Sequence, residues 1–294
     1  MLARLQQATT LGLVALAALW AFVALRAGHP AWALGGALVI VFGYALVLAI
    51  EFVLLRAAHG DDPAPRATWA QILRAWASEV VTAPRVFCWL QPFRSRRWPD
   101  RVEAGTAARG VLLVHGFVCN RGVWDAWLER LHHRGVACIA VDLEPVFGSI
   151  DDYAPIIDAA VRRLEAATGT APVIVAHSMG GLAVRRWWAD HADARVHHLI
   201  TIASPHHGTV FAQFALSPNT RQMRRASPWL QALAAREDLR RRERVTCFYS
   251  HCDNIVVPPS TAALAGADNR HLAGVAHVHM VNRDEPWQAL LERL

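Results

Sequence analysis

The fold is decided by the stretch Pro172–Gly181, which reads PVIVAHSMGG and runs from an apolar segment into Ser178. A helical pattern, Leu182–Ala192, follows at once. A strand, a sharp turn and a helix together lift a serine hydroxyl clear of a sheet and leave it exposed for attack. Small residues stand two positions before and two after the serine, where a strained turn brings neighbouring backbone close. We therefore predict that Ser178 is a nucleophile rather than a structural serine.

A carboxylate is expected further along the chain. A serine hydroxyl is a weak nucleophile near neutral pH, so it needs a base and an acid that orients the base. Val245–Tyr249 is a predicted buried strand, and Asp253 follows its end. Because sites in open α/β sheets gather at the carboxyl ends of the strands, Asp253 is the predicted acid. A turn aspartate that bonds its own backbone is the alternative interpretation, and Asp268 is the reserve candidate.

The base is harder to single out, because the chain contains 15 histidines. Three of them compete near the end of the chain. His277 follows a glycine and a short apolar run, a pattern that suits a loop returning to the site. His279 would point to the opposite face if the segment is extended, and His271 lies in a polar segment. His277 is the predicted base, and the other two stay open as alternatives.

Backbone N–H groups must stabilise the negative charge that acyl transfer places on the carbonyl oxygen. One donor follows the nucleophile in this arrangement, which makes it Met179. The other is expected after the first strong strand, Val111–Val114. There the pair His115 and Gly116 lets the chain turn tightly and leaves the amide of Phe117 as the second donor. We interpret His115 as structural.

Together these motifs make Val111–Leu294 resemble the α/β-hydrolase superfamily and, within it, the lipase and esterase families. Residues 176–181, AHSMGG, are similar to small bacterial lipases in which alanine replaces the first glycine of G-x-S-x-G. Residues 203–209, ASPHHGT, are similar to the Pro-His-x-Gly-Thr segment of many lipases. The resemblance implies hydrolysis of a carboxylic ester through an acyl-enzyme, with no cofactor. It also implies a triad and two oxyanion donors: Ser178, Asp253 and His277, with Phe117 and Met179.

Alternating strand and helix patterns predict an α/β fold, with a mostly parallel sheet covered by helices. The predicted strands are Val111–Val114, Val136–Val141, Pro172–Ala176, Val196–Ile202, Val245–Tyr249 and a shorter one near Val275–Val281. The predicted helices are Trp124–His133, Tyr153–Thr168, Leu182–Ala192 and Glu285–Leu294. Since the first strand leads directly to the oxyanion loop, the antiparallel strands that open larger members of the superfamily are expected to be missing.

The segment from about 209 to 244 is longer than a simple connection needs. It mixes apolar side chains with arginines. We predict a short cap of about two helices over the site, with apolar residues that face an acyl chain. An ordinary surface excursion is the alternative. No recognition motif accompanies the arginines, so nucleic acid is not an expected partner.

Residues 1–60 are a predicted membrane anchor. Thr10–Leu25 and Ala31–Leu55 are almost entirely apolar, and a short segment with glycine and proline separates them. At about 1.5 Å per residue the second run crosses a hydrocarbon core of about 30 Å, and the first is near the lower limit. We predict a transmembrane helical hairpin. The alternative is a signal-like first segment followed by one spanning helix.

The charges near the hairpin favour a cytoplasmic position for the domain that follows it. Arginines precede and follow the two apolar runs, whereas only Arg26 and His29 occupy the turn, and cationic segments tend to stay on the cytoplasmic side. Five cysteines give an odd count without disulfide spacing, which is typical of a reducing compartment. No C-x-x-C pair suggests zinc. A bacterial-type inner membrane is the expected location.

Residues 61–105 are a predicted amphipathic linker rich in tryptophan and arginine. These residues favour the membrane–water boundary, although packing on the hydrolase core fits the sequence equally well. The remaining residues, 106–294, are long enough for one hydrolase domain, with the cap at about 209–244. The net charge of +6 and a pI of about 9.6 favour adhesion to an anionic membrane surface.

The sequence therefore predicts a membrane-anchored serine hydrolase that cleaves apolar acyl esters, with membrane lipids among the candidate substrates. An acyltransferase or thioesterase with the same triad is the nearest alternative. A hydrolase-like scaffold without catalytic activity is the other. A complete triad in the expected chain order argues against the scaffold.

Overall fold

The computed structural model describes residues 1–103 and 109–294 and begins with two long helices. These are α1 (Leu2–Arg26) and α2 (Pro30–Ala57), which pack side by side as a hairpin. Gly28 adopts a φ of +77° in the turn, and Pro30 begins α2, where its missing N–H costs nothing. The indole Nε1 of Trp20 donates to the carbonyl oxygen of Trp32 at 2.8 Å across the hairpin.

Most of the apolar surface of this hairpin is uncovered. Both helices are long and apolar enough to cross a membrane, and only 6% and 11% of their most apolar stretches are buried. A core helix of a soluble protein buries its apolar stripe against other elements, and large uncovered patches mark interaction surfaces. The rest of the described chain leaves the outer surface of the hairpin exposed.

A third helix, α3 (Trp69–Pro84), packs beside α2 and continues as a π-helix over Arg85–Arg94. Thr68 begins α3 with a capping box, exchanging hydrogen bonds with Gln71. The indole of Trp76 donates to a carbonyl oxygen of α2 at 2.8 Å. The segment predicted as an amphipathic linker thus packs on the protein along one side. Its other side exposes large apolar residues: Trp69, Leu73, Val81 and Trp89.

Six short strands form one parallel sheet. They are β1 (Val111–Val114), β2 (Cys138–Ala140), β3 (Val173–His177), β4 (His198–Ile202), β5 (Val245–Tyr249) and β6 (Asp268–His271). Their order is β2-β1-β3-β4-β5-β6. Within the described ranges no antiparallel strand precedes β1, although Arg101 makes one antiparallel bridge to Cys138. The predicted mostly parallel sheet is confirmed.

Helices cover both faces of the sheet, and strands β1 and β3 are buried on both sides; β1 is apolar throughout, and β3 is apolar up to its last residue, His177. The main helices are α4 (Asp125–His133), α5 (Ala154–Thr168) and α6 (Met179–Asp190). Each lies within a few residues of its predicted bounds. Further along the chain come α7 (Pro218–Gln222), α8 (Pro228–Arg236) and α9 (Asp284–Leu291). We call residues 109–294 the sheet domain. The predicted boundary between residues 105 and 106 lies outside the described residues.

The last predicted strand is wrong. Residues Val275–Val281 form a loop that leads into a 3-10 turn at His279–Asn282, and β6 lies earlier, at Asp268–His271. β6 is a polar edge strand with partly exposed side chains, so it lacks the apolar pattern of a buried strand. Val275 and Val281 are buried because the loop returns to the core. Their apolar character reflects burial, not strand geometry.

The segment predicted as a cap contains α7 and α8 and bonds to other parts of the sheet domain. Arg185 on α6 pairs with Glu237, with Nε–Oε1 and Nη2–Oε2 distances of 2.6 and 2.8 Å. The side chain of Asn219 on α7 donates to the carbonyl oxygen of Val146 at 2.8 Å. These polar contacts fix the segment on the body of the domain, and its apolar side chains at Phe214 and Leu216 remain exposed.

Candidate active site

Ser178 occupies the sharp turn between β3 and α6. Its backbone has φ 55° and ψ −129°, a left-handed conformation that is strained for a residue with a side chain. A Cβ on Gly180 would lie 2.5 Å from the carbonyl oxygen of His115, and a Cβ on Gly116 would lie 2.7 Å from the Cβ of Ser178. The two glycines allow the approach of neighbouring backbone that this turn requires.

His277 and Asp253 form a buried pair. Nδ1 of His277 lies 2.9 and 3.0 Å from the two carboxylate oxygens of Asp253. A carboxylate can only accept, so Nδ1 carries the proton and Nε2 is left with a free lone pair. Oδ1 of Asp253 also accepts the N–H groups of Ile255 and Val256, both at 2.9 Å. The acid is thereby held rigidly behind the histidine.

The histidine of this pair lies next to the serine turn. His277 and Ser178 line the same cavity, and the carbonyl oxygen of His277 lies 3.3 Å from Nε2 of His177, the residue before the serine. Burial by itself would lower the pKa of His277, but the charge and hydrogen bonds of Asp253 raise it above its usual value, with help from Glu79 and Glu51. Such an imidazole is a good proton acceptor.

The competing candidates lie elsewhere. Asp268 is on the edge strand, where it pairs with Nε of Arg270 at 2.8 Å. Nε2 of His271 lies 2.8 Å from Nδ1 of His251. Neither of these residues, nor His279, lines the cavity at Ser178. The structure therefore places only one of the three late histidines beside the serine turn.

The loop after β1, in which the first oxyanion donor is predicted, lies close to Ser178. Phe117 lines the cavity, and the next residue, Val118, has a φ of +52°, which is strained for a β-branched side chain. Met179 is the first residue of α6. His115 holds this loop: its Nε2 accepts the N–H of Leu143 at 2.9 Å and its Nδ1 donates to the carbonyl oxygen of Gly116 at 2.8 Å. Burial lowers the pKa of His115, consistent with a neutral structural ring.

The segment 203–209 supports the acid loop. The hydroxyl of Thr209 donates to the carbonyl oxygen of Ile255 at 2.6 Å and accepts the N–H of Val257 at 3.1 Å. Gly208 has a φ of +83°, and a Cβ there would lie 2.7 Å from the carbonyl oxygen of Met223. Thr209 thus positions the loop that carries Asp253, whereas Gly208 allows the close approach of the backbone at Met223.

Two acidic residues from the N-terminal helices hold the other side of the site, and the sequence did not reveal their role. Glu79 on α3 is buried, and its two oxygens accept the N–H groups of Val278 and His279 at 2.9 and 3.0 Å. Burial raises the pKa of Glu79 to about 7, although the two hydrogen bonds act in the opposite direction. The backbone after His277 is therefore fixed by a carboxylate from outside the sheet domain.

Glu51 on α2 acts through an asparagine. Its Oε2 accepts from the side-chain amide of Asn254 at 2.7 Å, and Oδ1 of Asn254 accepts the N–H of His277 at 3.2 Å. Two features of the sequence were available as signals. Glu51 is a single carboxylate at the end of an apolar run. Glu79 lies on the buried stripe of α3 with Ile72 and Ala75. The sequence pattern alone does not predict which groups either carboxylate contacts.

The site opens into a cavity of about 680 Å³ between the N-terminal helices and the sheet domain. This volume lies within the range of small-molecule sites, about 300–1,000 Å³. The sheet domain contributes the reactive end, including Phe117, Ser178 and His277. The hairpin contributes mainly apolar side chains: Leu13, Val14, Val41, Phe42, Val47 and Leu48.

The predicted cap does not cover this cavity. All of residues 209–244 are described, and none of them lines it. The hairpin occupies that place instead, because the polar contacts of Glu237 and Asn219 hold the 209–244 segment on the body of the sheet domain. The expectation that its apolar residues face an acyl chain is therefore corrected.

Two thiols line the cavity, those of Cys88 and Cys119. In residues 1–103 and 109–294 no group of three or more His, Cys, Asp or Glu side chains is arranged to hold a metal ion. The five cysteines are free thiols, and burial raises the pKa of Cys119, close to the oxyanion loop, to about 12. A thiol with that pKa stays protonated and is a poor nucleophile.

The sequence of this chain matches a known protein family. Residues 111–293 match the alpha/beta hydrolase family. The matched range covers more than half of the chain and contains the serine turn, the acid loop and the histidine loop. It begins at β1 and leaves the N-terminal helices outside.

Two solved structures show a similar fold. A lipase from Bacillus licheniformis, BlEst2 in its mature form, has 15% identity and a TM-score of 0.55, covering 67% of this chain and 97% of that chain. Lipase B from Aspergillus fumigatus has 17% identity and a TM-score of 0.54, covering 63% of this chain and 52% of that chain. At such identities the likeness establishes the fold.

Proposed function

Because this chain belongs to the alpha/beta hydrolase family, we propose that it is a serine hydrolase that cleaves carboxylic esters of apolar acyl groups. The observation that carries the proposal is the buried pair of His277 and Asp253, which shares one cavity with a serine on a strained strand-to-helix turn. Nucleophile, acid and base follow the chain order of this architecture.

In the proposed reaction, Oγ of Ser178 attacks the acyl carbonyl carbon while Nε2 of His277 takes the hydroxyl proton. Asp253 holds the ring and stabilises the imidazolium that forms. The amides of Phe117 and Met179 donate to the oxyanion. The tetrahedral intermediate then expels the alcohol, which receives the proton from His277. Water, deprotonated by the same histidine, attacks the acyl-enzyme, and the carboxylic acid leaves as Ser178 is regenerated.

The proposal includes a membrane anchor. The two helices of the hairpin are long and apolar enough to span a bilayer, and their outer surface is uncovered. Both ends away from the turn lie at the sheet domain, since the amino group of Met1 donates to Oε1 of Glu144 at 2.9 Å and Glu51 bonds Asn254. In the proposed orientation that side, and so the active site, faces the cytoplasm, and the arginines flanking the hairpin favour it. Reporter fusions after Leu55 and at the C-terminus test this orientation, and periplasmic signals would refute it.

The catalytic part of the proposal is tested by labelling the detergent-solubilised full chain with a fluorophosphonate probe. We expect wild type to be labelled and Ser178→Ala to be unlabelled, because only an activated serine reacts. Ser204→Ala, the neighbouring buried serine, is the matched control and should keep its labelling. Failure to label folded wild type would favour the non-catalytic scaffold.

Product analysis separates hydrolysis from transfer. We expect free carboxylic acid in stoichiometric ratio to the alcohol that is released from the ester. If an added long-chain alcohol or thiol captures most of the acyl group at the expense of free acid, the enzyme is an acyltransferase that uses the same triad.

A further inference from the structure

We propose that the two N-terminal helices, rather than the cap segment of the sheet domain, build the acyl-chain site. The substrate that this arrangement takes is a long-chain acyl ester of a membrane lipid, with its chain between α1, α2 and the sheet domain and its carbonyl at Ser178. The inference rests on the proposed ester hydrolysis and adds where the acyl chain lies and from which phase it comes.

The sheet domain and the hairpin line the cavity with different kinds of side chain. The sheet domain contributes the polar groups of Ser178, His277 and Asn254. The helices α1 and α2 contribute mainly aliphatic and aromatic side chains such as Leu13, Phe42 and Leu48; their polar residues in the lining are Thr10, Tyr44 and Glu51, and Glu51 bonds Asn254. An apolar wall that leads away from a reacting serine suits a hydrocarbon chain, since each buried CH₂ group contributes about 0.8 kcal/mol.

Helix geometry places this apolar wall inside the bilayer. At 1.5 Å per residue, Val41 and Leu48 lie about 17 and 27 Å from the turn end of α2, and Val14 lies about 18 Å from the turn end of α1. A hydrocarbon core is about 30 Å thick. A hairpin that crosses it with the turn at the far surface therefore keeps all three residues within the hydrocarbon. The chain of a lipid reaches the cavity without passing through water.

The hairpin is joined to the catalytic machinery by specific contacts. Glu51 on α2 bonds Asn254, which in turn holds the N–H of His277. The hydroxyl of Tyr44 donates to the carbonyl oxygen of Val80 on α3 at 2.7 Å, one residue after the buried Glu79. These contacts fix α2 at a defined distance from the active site, as an acyl-chain wall requires.

A pair of neighbouring leucines on α2 tests the proposal. Leu48 lines the cavity, whereas Leu46 is 67% exposed and does not line it. Each is replaced by tryptophan in the full chain, reconstituted in phospholipid nanodiscs. Hydrolysis is measured with short-chain (C4) and long-chain (C16) esters of one alcohol, together with fluorophosphonate labelling.

We expect Leu48→Trp to lower the ratio of kcat/KM for the C16 ester to kcat/KM for the C4 ester at least tenfold, with fluorophosphonate labelling retained. Leu46→Trp should leave all three measurements within twofold. If Leu48→Trp keeps its labelling and changes kcat/KM for the C16 and C4 esters by the same factor, the acyl-site proposal is wrong. If wild type is not labelled and hydrolyses neither ester, the proposed hydrolase function is wrong.

A cross-linking experiment on wild type tests the proposal if Leu48→Trp fails to fold. Wild type in nanodiscs is labelled with a C16 alkyl fluorophosphonate that carries a terminal diazirine, and the adduct is photolysed. We expect cross-links in α1 and α2. Cross-links confined to residues 209–244 would show that the cap holds the chain and that the proposal is wrong.

Discussion

The sheet domain and the helical hairpin solve the burial of apolar surface in opposite ways. In the sheet domain, β1 and β3 are fully buried, and helices close over both faces. In the hairpin, large side chains such as Phe22, Trp32 and Val39 stay exposed, at 62%, 69% and 71%. The first region supplies its own apolar environment, and the second takes it from a bilayer under the proposed function.

The comparison teaches that the active site belongs to both regions. The sheet domain carries the proposed reacting groups on strand ends and loops. The N-terminal helices carry Glu51 and Glu79, which hold the backbone around His277, and the apolar wall of the cavity. An anchor that only attached the domain to a membrane would have no reason to contact the histidine loop at 277–279.

The largest expected effect concerns the sheet domain. Asp253→Asn should lower kcat on the order of 10⁴, as in a serine-protease triad, because an amide no longer fixes the productive tautomer of His277. Asp268→Asn on the edge strand is the matched control and should stay within twofold. Steady-state hydrolysis of a C4 ester checks both variants, and a reversed result would make Asp268 the acid.

The next effect is on stability and tests how firmly the 209–244 segment is held. Arg185→Met should lower the free energy of unfolding by about 2–3 kcal/mol, because Glu237 loses its bidentate partner in a buried position and keeps only Arg242, at 3.0 Å. Arg162→Met, at an exposed pair with Asp158, should change it by less than about 1 kcal/mol. Thermal unfolding in detergent checks both, and equal shifts would contradict this account of the segment.

A smaller effect tests whether the N-terminal helices position the base. Glu79→Gln should lower kcat about tenfold, because one buried N–H group loses its acceptor. Its charge raises the pKa of His277, so removing it should also move the acid limb of the kcat/KM profile to lower pH.

Three other groups near His277 are retained in that variant: Asp253, Glu51 and His177. Glu129→Gln, at a half-exposed surface position on α4, is the control. An unshifted acid limb in Glu79→Gln would show that Glu79 is structural only.

The smallest expected effect is at an exposed residue of the 209–244 segment. Phe214→Ser should leave C16 hydrolysis within twofold, because Phe214 is 79% exposed and does not line the cavity. If Phe214→Ser selectively lost C16 hydrolysis, the acyl chain would contact the 209–244 segment. Phe214→Ser and Leu48→Trp would then no longer differ in their effect on C16 hydrolysis.

Most of the sheet domain could be predicted because its signals are local. Val111–Val114 and Val245–Tyr249 are strands with the predicted bounds, and the helix after Ser178 begins at the next residue. The strand predicted near Val275–Val281 failed because apolar character reports burial, and a loop that returns to a core is buried as well. Asp268–His271 escaped notice because an edge strand need not be apolar.

The sequence by itself determined the strand–turn–helix at Ser178, the apolar runs of the hairpin and the short set of candidate acids and bases. Only the tertiary structure decided that Asp253 meets His277, that Glu51 meets Asn254, and that the hairpin rather than residues 209–244 lines the cavity. The physical reason is distance along the chain. Backbone conformation and hydrophobic periodicity act within a few residues, whereas the contact of Glu51 with Asn254 joins residues 203 positions apart and exists only once the two regions have packed.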